Sequence, residues 1–216
     1  MVKLPKSFGL IAPFATWMVL MAVLPATTWA YAVRTAVVAG VLVAAWRLGF
    51  KTLDERHETC LPSRVSSPLK SFVFRLKSSF LPGLAVGLAV FVMWILPEQF
   101  DWTWYRKWCI IGEGGTQAVA EASAVMIAIR LIGSAFVISV AEELFFRKWL
   151  IGFAGFWWMV GLFAIEHDRW LVAAICGIIY GVLYLRRGLG AACVAHATTN
   201  LVLGLWVLKT GQWQFW

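Results

Sequence analysis

Charge is scarce in this chain, and acidic charge is scarcer still. Only 14% of its 216 residues are charged, 11 of them acidic and 19 basic, while 61% are hydrophobic. Soluble domains carry about 25% charged residues, so an ordinary soluble globular domain is excluded. The four cysteines, Cys60, Cys109, Cys176 and Cys193, show no CxxC or zinc-ribbon spacing, which leaves them as packing residues. No HExxH segment, internal repeat or low-complexity tract occurs, and neither does the pair of Gly/Pro-broken helices that marks many transporters. The basic excess of +8 is scattered between apolar runs and not gathered on one polar face. That pattern excludes nucleic acid as a partner and reads as membrane topology.

What the chain does have is apolar length. A mean hydropathy of +0.78 and 14 Trp predict an all-α polytopic membrane protein, a bundle of about seven transmembrane helices with its site inside. The spans are expected near 8–24, 31–50, 80–96, 122–150, 156–167, 170–185 and 189–208. They form one integral-membrane domain over 1–216, with N-terminal helices and loops to 121 and motif-bearing helices over 122–208. Lys3 and Lys6 before the first run, and Ala30-Tyr31-Ala32 after it, imitate a signal peptide. The long apolar core and the immediate second span favour an uncleaved helical hairpin instead. The polar segment 51–79 reads as a cytoplasmic loop, in which 69–81 has the pattern of an interfacial amphipathic helix or of a plain lead into the third span. Trp102 to Trp108 suits the headgroup level, and Gly112 to Gly115 a flexible turn. Arg34 and Arg130 fall near outer helix ends, as snorkelling anchors. With the N-terminus cytoplasmic, thirteen Lys/Arg lie inside and five outside, Arg130 within its span being the nineteenth, and this asymmetry sets the orientation. An integral membrane location follows as the expectation, with the lipid bilayer as the first partner.

Against this background Ala141 to Lys148 stands out, because a charged side chain at mid-bilayer costs ~2.5 to 3.5 kcal/mol and marks a functional site by default. Glu143 and Arg147 are i, i+4 neighbours that can neutralise each other, with the acid first as that pairing prefers. Glu142 lies about 100° round the helix and has Phe146, not a base, as its i+4 neighbour. His167 and His196 fall in or beside apolar helices, whereas His57 is in the polar loop. The helical rise brings Glu142 and His167 to a common depth of roughly 16 Å, and His196 to roughly 10 Å, a difference that tilt absorbs. Phe163 precedes His167 and Asn200 follows His196, each at i, i+4. A buried Glu, two His and an Asn at one depth suit peptide hydrolysis. Glu142 would take the proton from water, His167 would orient that water or share its proton, and His196 with Asn200 would donate to the oxyanion.

Glu142-Glu143-x-x-x-Arg147, Phe163-x-x-x-His167 and His196-x-x-x-Asn200, in this order on successive helices, resemble the three motifs of the CAAX-protease and bacteriocin-processing (CPBP) intramembrane proteases. The resemblance covers about 123–204. It implies an intramembrane endopeptidase acting on a protein or peptide at the membrane, with Glu142 as base, His167, His196 and Asn200 completing the site, and Glu143, Arg147 and Phe163 in support. The segment 208–216, with Ala195 to Asn200, is similar to the branch associated with exosortase and PEP-CTERM sorting, which implies exosortase components as partners. No cofactor is expected in the glutamate mechanism. Glu142, His167 and His196 could alternatively supply the three ligands of an open zinc site. Glu166 and Asp168 flank His167 where many relatives carry small or apolar residues. Both are expected in a short turn, with Asp168 pairing Arg169. A non-catalytic membrane scaffold or immunity-type partner is the alternative from another class.

Overall fold

The computed structural model describes residues 7–47, 79–111 and 122–215. His57, Cys60, the polar loop, nearly all of the candidate amphipathic segment and the Gly112 to Gly115 turn lie outside the described residues. Eight helices are described: α1 Phe8–Val23, α2 Thr28–Arg47, α3 Leu81–Gln99, α4 Thr103–Cys109, α5 Ala124–Ala154, α6 Phe156–Ile165, α7 Trp170–Arg187 and α8 Leu189–Thr210. Of these, α2, α3, α5, α7 and α8 are long and apolar enough to cross a membrane, while α1 and α6 are apolar but shorter. The protein is an all-α polytopic integral membrane protein. Helices satisfy this chemistry because each backbone N–H and C=O finds its partner within its own segment, away from water.

Two single glycines set the turns around the motif helices. Gly155, at φ 96°, alone separates α5 from α6, and Gly188, at φ 83°, alone separates α7 from α8. An L side chain resists that backbone region, so glycine lets each helix reverse within one residue. The tightest crossing lies between α3 and α8. Gly83 and Gly87, one turn apart, face the carbonyls of Ala191 and Ala195, and a Cβ on Gly87 would stand 2.5 Å from the Ala195 oxygen. Small residues at this spacing let two backbones approach in lipid, where dispersion rather than water expulsion holds helices together.

Helix α5 is continuous but not uniform. It widens into π-helical turns over Gly133–Ile138 and again over Glu143–Leu150, leaving Ser139–Glu142 as a four-residue α-helical piece between them. Such widened turns occur often at functional sites. The Ser139 hydroxyl donates to the Ala135 carbonyl inside the first. Helix α1 packs on α5 through Phe14, stacked on Phe145 at 4.5 Å between centroids and edge-on to Phe146 at 5.1 Å.

Two arginines depart from the snorkelling expected of them. Arg34 is buried and donates to the carbonyls of Leu20 at 3.1 Å, Leu24 at 2.5 Å and Pro25 at 2.9 Å. It therefore ties the end of α1 to α2 through three backbone carbonyls, of which those of Leu20 and Pro25 also accept from the Leu24 and Thr27 N–H groups. Arg130 lies 4.8 Å from the Tyr31 ring and lines an internal cavity.

Candidate active site

Glu142 and Glu143 end the α-helical piece of α5 and begin its second wide turn, so the two carboxylates leave the helix in different directions. Glu143 is wholly buried and pairs with Arg147, also wholly buried, at 3.1 Å. The guanidinium is surrounded by rings, 4.2 Å from the Phe163 centroid, 5.4 Å from Tyr180 and 5.8 Å from Phe146. A buried ion pair needs such support, because desolvating two charges costs several kcal/mol per ion unless geometry and neighbours compensate.

His196, on α8, reaches both glutamates. Its Nδ1 donates to Glu143 Oε1 at 2.8 Å, and its Nε2 stands 3.7 Å from Glu142 Oε2. The second distance exceeds a hydrogen bond, so it leaves Glu142 Oε2 buried with no hydrogen-bond partner. Tyr180, on α7, stacks on the His196 ring at 5.2 Å and 23°. Its hydroxyl donates to Thr199 Oγ1 at 2.6 Å, and the Thr199 proton is shared between the carbonyls of Gly87 at 2.9 Å and Ala195 at 3.1 Å. The α3–α8 crossing thus holds Tyr180, and Tyr180 holds His196.

His167 lies in the turn between α6 and α7. Its Nδ1 stands 2.8 Å from the Phe163 carbonyl. A carbonyl only accepts, so Nδ1 carries the proton, and in the neutral ring Nε2 is left as an acceptor. Phe163 lies against the ring at 4.5 Å and Trp94 edge-on at 5.8 Å. The turn is fastened from outside: Ile111 N–H donates to the Asp168 carbonyl at 2.7 Å, Trp170 Nε1 to the Trp108 carbonyl at 2.9 Å, and Arg169 pairs with Glu98 at 2.5 Å. Arg169 therefore pairs across to α3 and not with its neighbour Asp168, which is exposed. Asn200 donates from Nδ2 to the Ser134 carbonyl at 3.0 Å, which fixes the amide and leaves it a second N–H.

Two cavities meet at these side chains. One, of about 200 Å³, is lined by Trp94, Phe163, Cys176, Tyr180, Leu203 and Phe215 beside the site residues. The other, of about 320 Å³, is lined by Trp17, Met18, Met21, Tyr31, Arg130 and Glu166. Ser134, Glu142, His167 and Asn200 belong to both, so they form the neck between two chambers. Residues 124–202 match the family model for Rce1-like, type II CAAX prenyl endopeptidases. The Rce1-like match begins at the first residue of α5 and ends in α8 just past Asn200, so it spans Glu142, Glu143, Arg147, Phe163, His167, His196 and Asn200. No curated protein and no solved structure matches the chain.

The structure brings Glu142, His167 and Asn200 to one neck and His196 to its edge, with Glu143, Arg147 and Phe163 packed behind. Two contributors escaped sequence reasoning, and a third, Glu166, was singled out but expected only in the turn. Tyr180 had a usable signal, since a phenol in mid-span must find a polar partner where no water is available. Ser134 offers only its backbone carbonyl, which no side-chain pattern announces. Glu166 does not simply point into the turn: it lines the larger chamber, with Oε2 buried and no hydrogen-bond partner. The zinc alternative requires Glu142, His167 and His196 to converge on a point. Among the described residues no three His, Cys, Asp or Glu are placed to hold an ion, although His167 and His196 each keep Nε2 clear of their Nδ1 hydrogen bonds, as a ligating imidazole does. As placed, the three side chains do not converge on one point.

Proposed function

We propose that this protein is an intramembrane endopeptidase that hydrolyses a peptide bond of a membrane-associated protein through a glutamate-activated water. The observation that carries this reading is Glu142: a carboxylate oxygen with no hydrogen-bond partner, buried at the neck of two chambers beside two histidines. Glu142 Oε2 and His167 Nε2 are both acceptors, so a water between them has both protons directed away from the substrate and a lone pair directed toward it. Glu142 takes one proton as the water oxygen attacks the carbonyl carbon, and returns it to the leaving amine when the tetrahedral intermediate collapses. His196, with Nδ1–H committed to Glu143, presents Nε2 toward the reacting carbonyl. The second N–H of Asn200 donates to the oxyanion, with the His196 ring beside it.

The similarity of 124–202 to Rce1-like endopeptidases supports the peptidase class. A cytoplasmic N-terminus rests on the distribution of Lys and Arg, and a bacterial inner-membrane location on the resemblance of 208–216 and of Ala195 to Asn200 to the exosortase-associated branch. A role beside exosortase components rests on the resemblance of Ala195 to Asn200 and of 208–216. The deciding experiment incubates the purified chain in lipid nanodiscs with membrane-anchored peptide reporters. Cleavage by the wild type and none by Glu142→Gln supports the assignment, while equal cleavage by both refutes it.

A further inference from the structure

Beyond α8 the chain makes a 3₁₀ turn, Trp213–Phe215, that lies outside the region similar to the Rce1-like family. This turn reaches back to the site. Phe215 is buried and packs with Ile95, Leu203 and Val207, and its ring forms part of the wall of the smaller chamber. It is fastened in two places. The Arg169 guanidinium lies 4.7 Å from the Phe215 centroid and is itself held by Glu98, and Gln99 Nε2 donates to Gln212 Oε1 at 2.6 Å. Arg169 is two residues from His167, so one clamp holds both the turn that carries His167 and the chamber wall.

We infer that the smaller chamber is the subsite for one apolar substrate side chain next to the scissile bond, and that Phe215 is the specificity-determining residue that sets its depth. This rests on the peptidase reading above. Trp94, Phe163, Cys176 and Leu203 make the chamber mostly apolar, while Glu142, His167 and Asn200 stand where it meets the larger one and Tyr180, His196 and Thr199 line one wall. A dry cavity of about 150 Å³ lined by such side chains binds a benzene-sized ligand. At about 200 Å³ this chamber accommodates one branched or aromatic side chain, with Phe215 closing it against anything longer. The larger chamber is also mostly apolar, through Trp17, Met18, Met21 and Tyr31, but carries Arg130 and Glu166, and it takes the chain on the other side of the bond.

Cys176 lines the same chamber and reports its size without catalysis. In a Cys60→Ser, Cys109→Ser, Cys193→Ser background, the full chain in nanodiscs is treated with methyl or benzyl methanethiosulfonate and labelling of Cys176 is read by mass spectrometry. With Phe215 present, the methyl reagent should label at least tenfold faster than the benzyl one. Phe215→Ala should remove that difference, and Phe215→Leu should reduce it while keeping the turn packed. In parallel, a peptide series with Ala, Leu, Phe or Trp beside the scissile bond should shift in kcat/KM by at least tenfold toward Trp in Phe215→Ala. An unchanged size cut-off at Cys176 in both folded variants, or an unchanged peptide preference, overturns the inference. Labelling that shifts while no peptide is cleaved by any form sinks the peptidase reading and removes a substrate side chain as the occupant.

Discussion

His196 Nδ1 lies 2.8 Å from Glu143 Oε1, the same carboxylate oxygen that lies 3.1 Å from Arg147. One buried acid therefore neutralises the guanidinium on its own helix and orients a ring on another. Glu143→Gln should strand Arg147 and release His196 together. Breaking a buried pair from one side costs about 3 to 5 kcal/mol, so folded yield and thermal stability in detergent should fall steeply. Replacing both partners, as Glu143→Gln with Arg147→Met, should recover much of the stability and none of the activity. A single variant as stable as the wild type would contradict this assignment.

Glu142→Gln should behave in the opposite way. Its Oε2 has no hydrogen-bond partner, so the amide leaves packing intact and removes only the base. Turnover should fall by ~10² to 10⁴-fold, with monodispersity and melting temperature unchanged.

Asn200 separates an enzyme from a scaffold. Asn200→Ala removes an oxyanion donor and should lower kcat by ~10² to 10³-fold, with substrate binding changed far less. Asn200→Asp should be worse, because an acceptor then faces the Ser134 carbonyl where Nδ2 now donates. A binding-only membrane scaffold would retain its partner through both substitutions and have no rate to lose.

Metal content is a separate measurement. Activity in detergent should survive prolonged chelation, and purified protein should carry no stoichiometric zinc. One zinc per chain, lost together with activity, would move Glu142, His167 and His196 to ligand roles.

Gly87 links packing to chemistry. A Cβ there would meet the Ala195 carbonyl at 2.5 Å and Thr198 Cβ at 2.6 Å, both on α8 beside His196. Overpacking of this kind costs about 1 to 3 kcal/mol. Gly87→Ala should therefore reduce kcat by disturbing the Thr199–Tyr180–His196 chain, and Gly40→Ala, which meets nothing within 4 Å, should not.

Hydropathy made the apolar helices legible almost to their ends, because span length and single-glycine turns are written locally. The helices α6 to α8 begin at 156, 170 and 189, where the sequence suggests they should. The Glu143–Arg147 pairing was legible for the same reason, as both residues share a helix. What could not be read was partnership between helices. Lipid is as apolar as leucine, so nothing in a hydropathy pattern says that α3 crosses α8, and the Gly87–Thr199–Tyr180 chain depends on that crossing. A lone arginine near a helix end fits snorkelling and a tie to the neighbouring helix equally well, and only the positions of the Leu20, Leu24 and Pro25 carbonyls decide for Arg34. Glu166 and Asp168 look alike in sequence, yet one lines the chamber and the other is exposed, a difference set by a turn with no periodicity to read.

The widened turns of α5 make chain length itself part of the site. Each residue advances a helix by about 100°, and two stretches of slack winding, Gly133–Ile138 and Glu143–Leu150, enclose the short piece that ends at Glu142. Deleting one residue from the first stretch would let it relax into regular winding. Six residues of wide winding turn through about the same angle as five of regular winding, so the same deletion would leave both glutamates facing much as they do now. A gap in the regular stretch Ala124–Ile132 has no such slack: it would swing both glutamates by about 100° relative to the residues before it and take Glu142 off the neck.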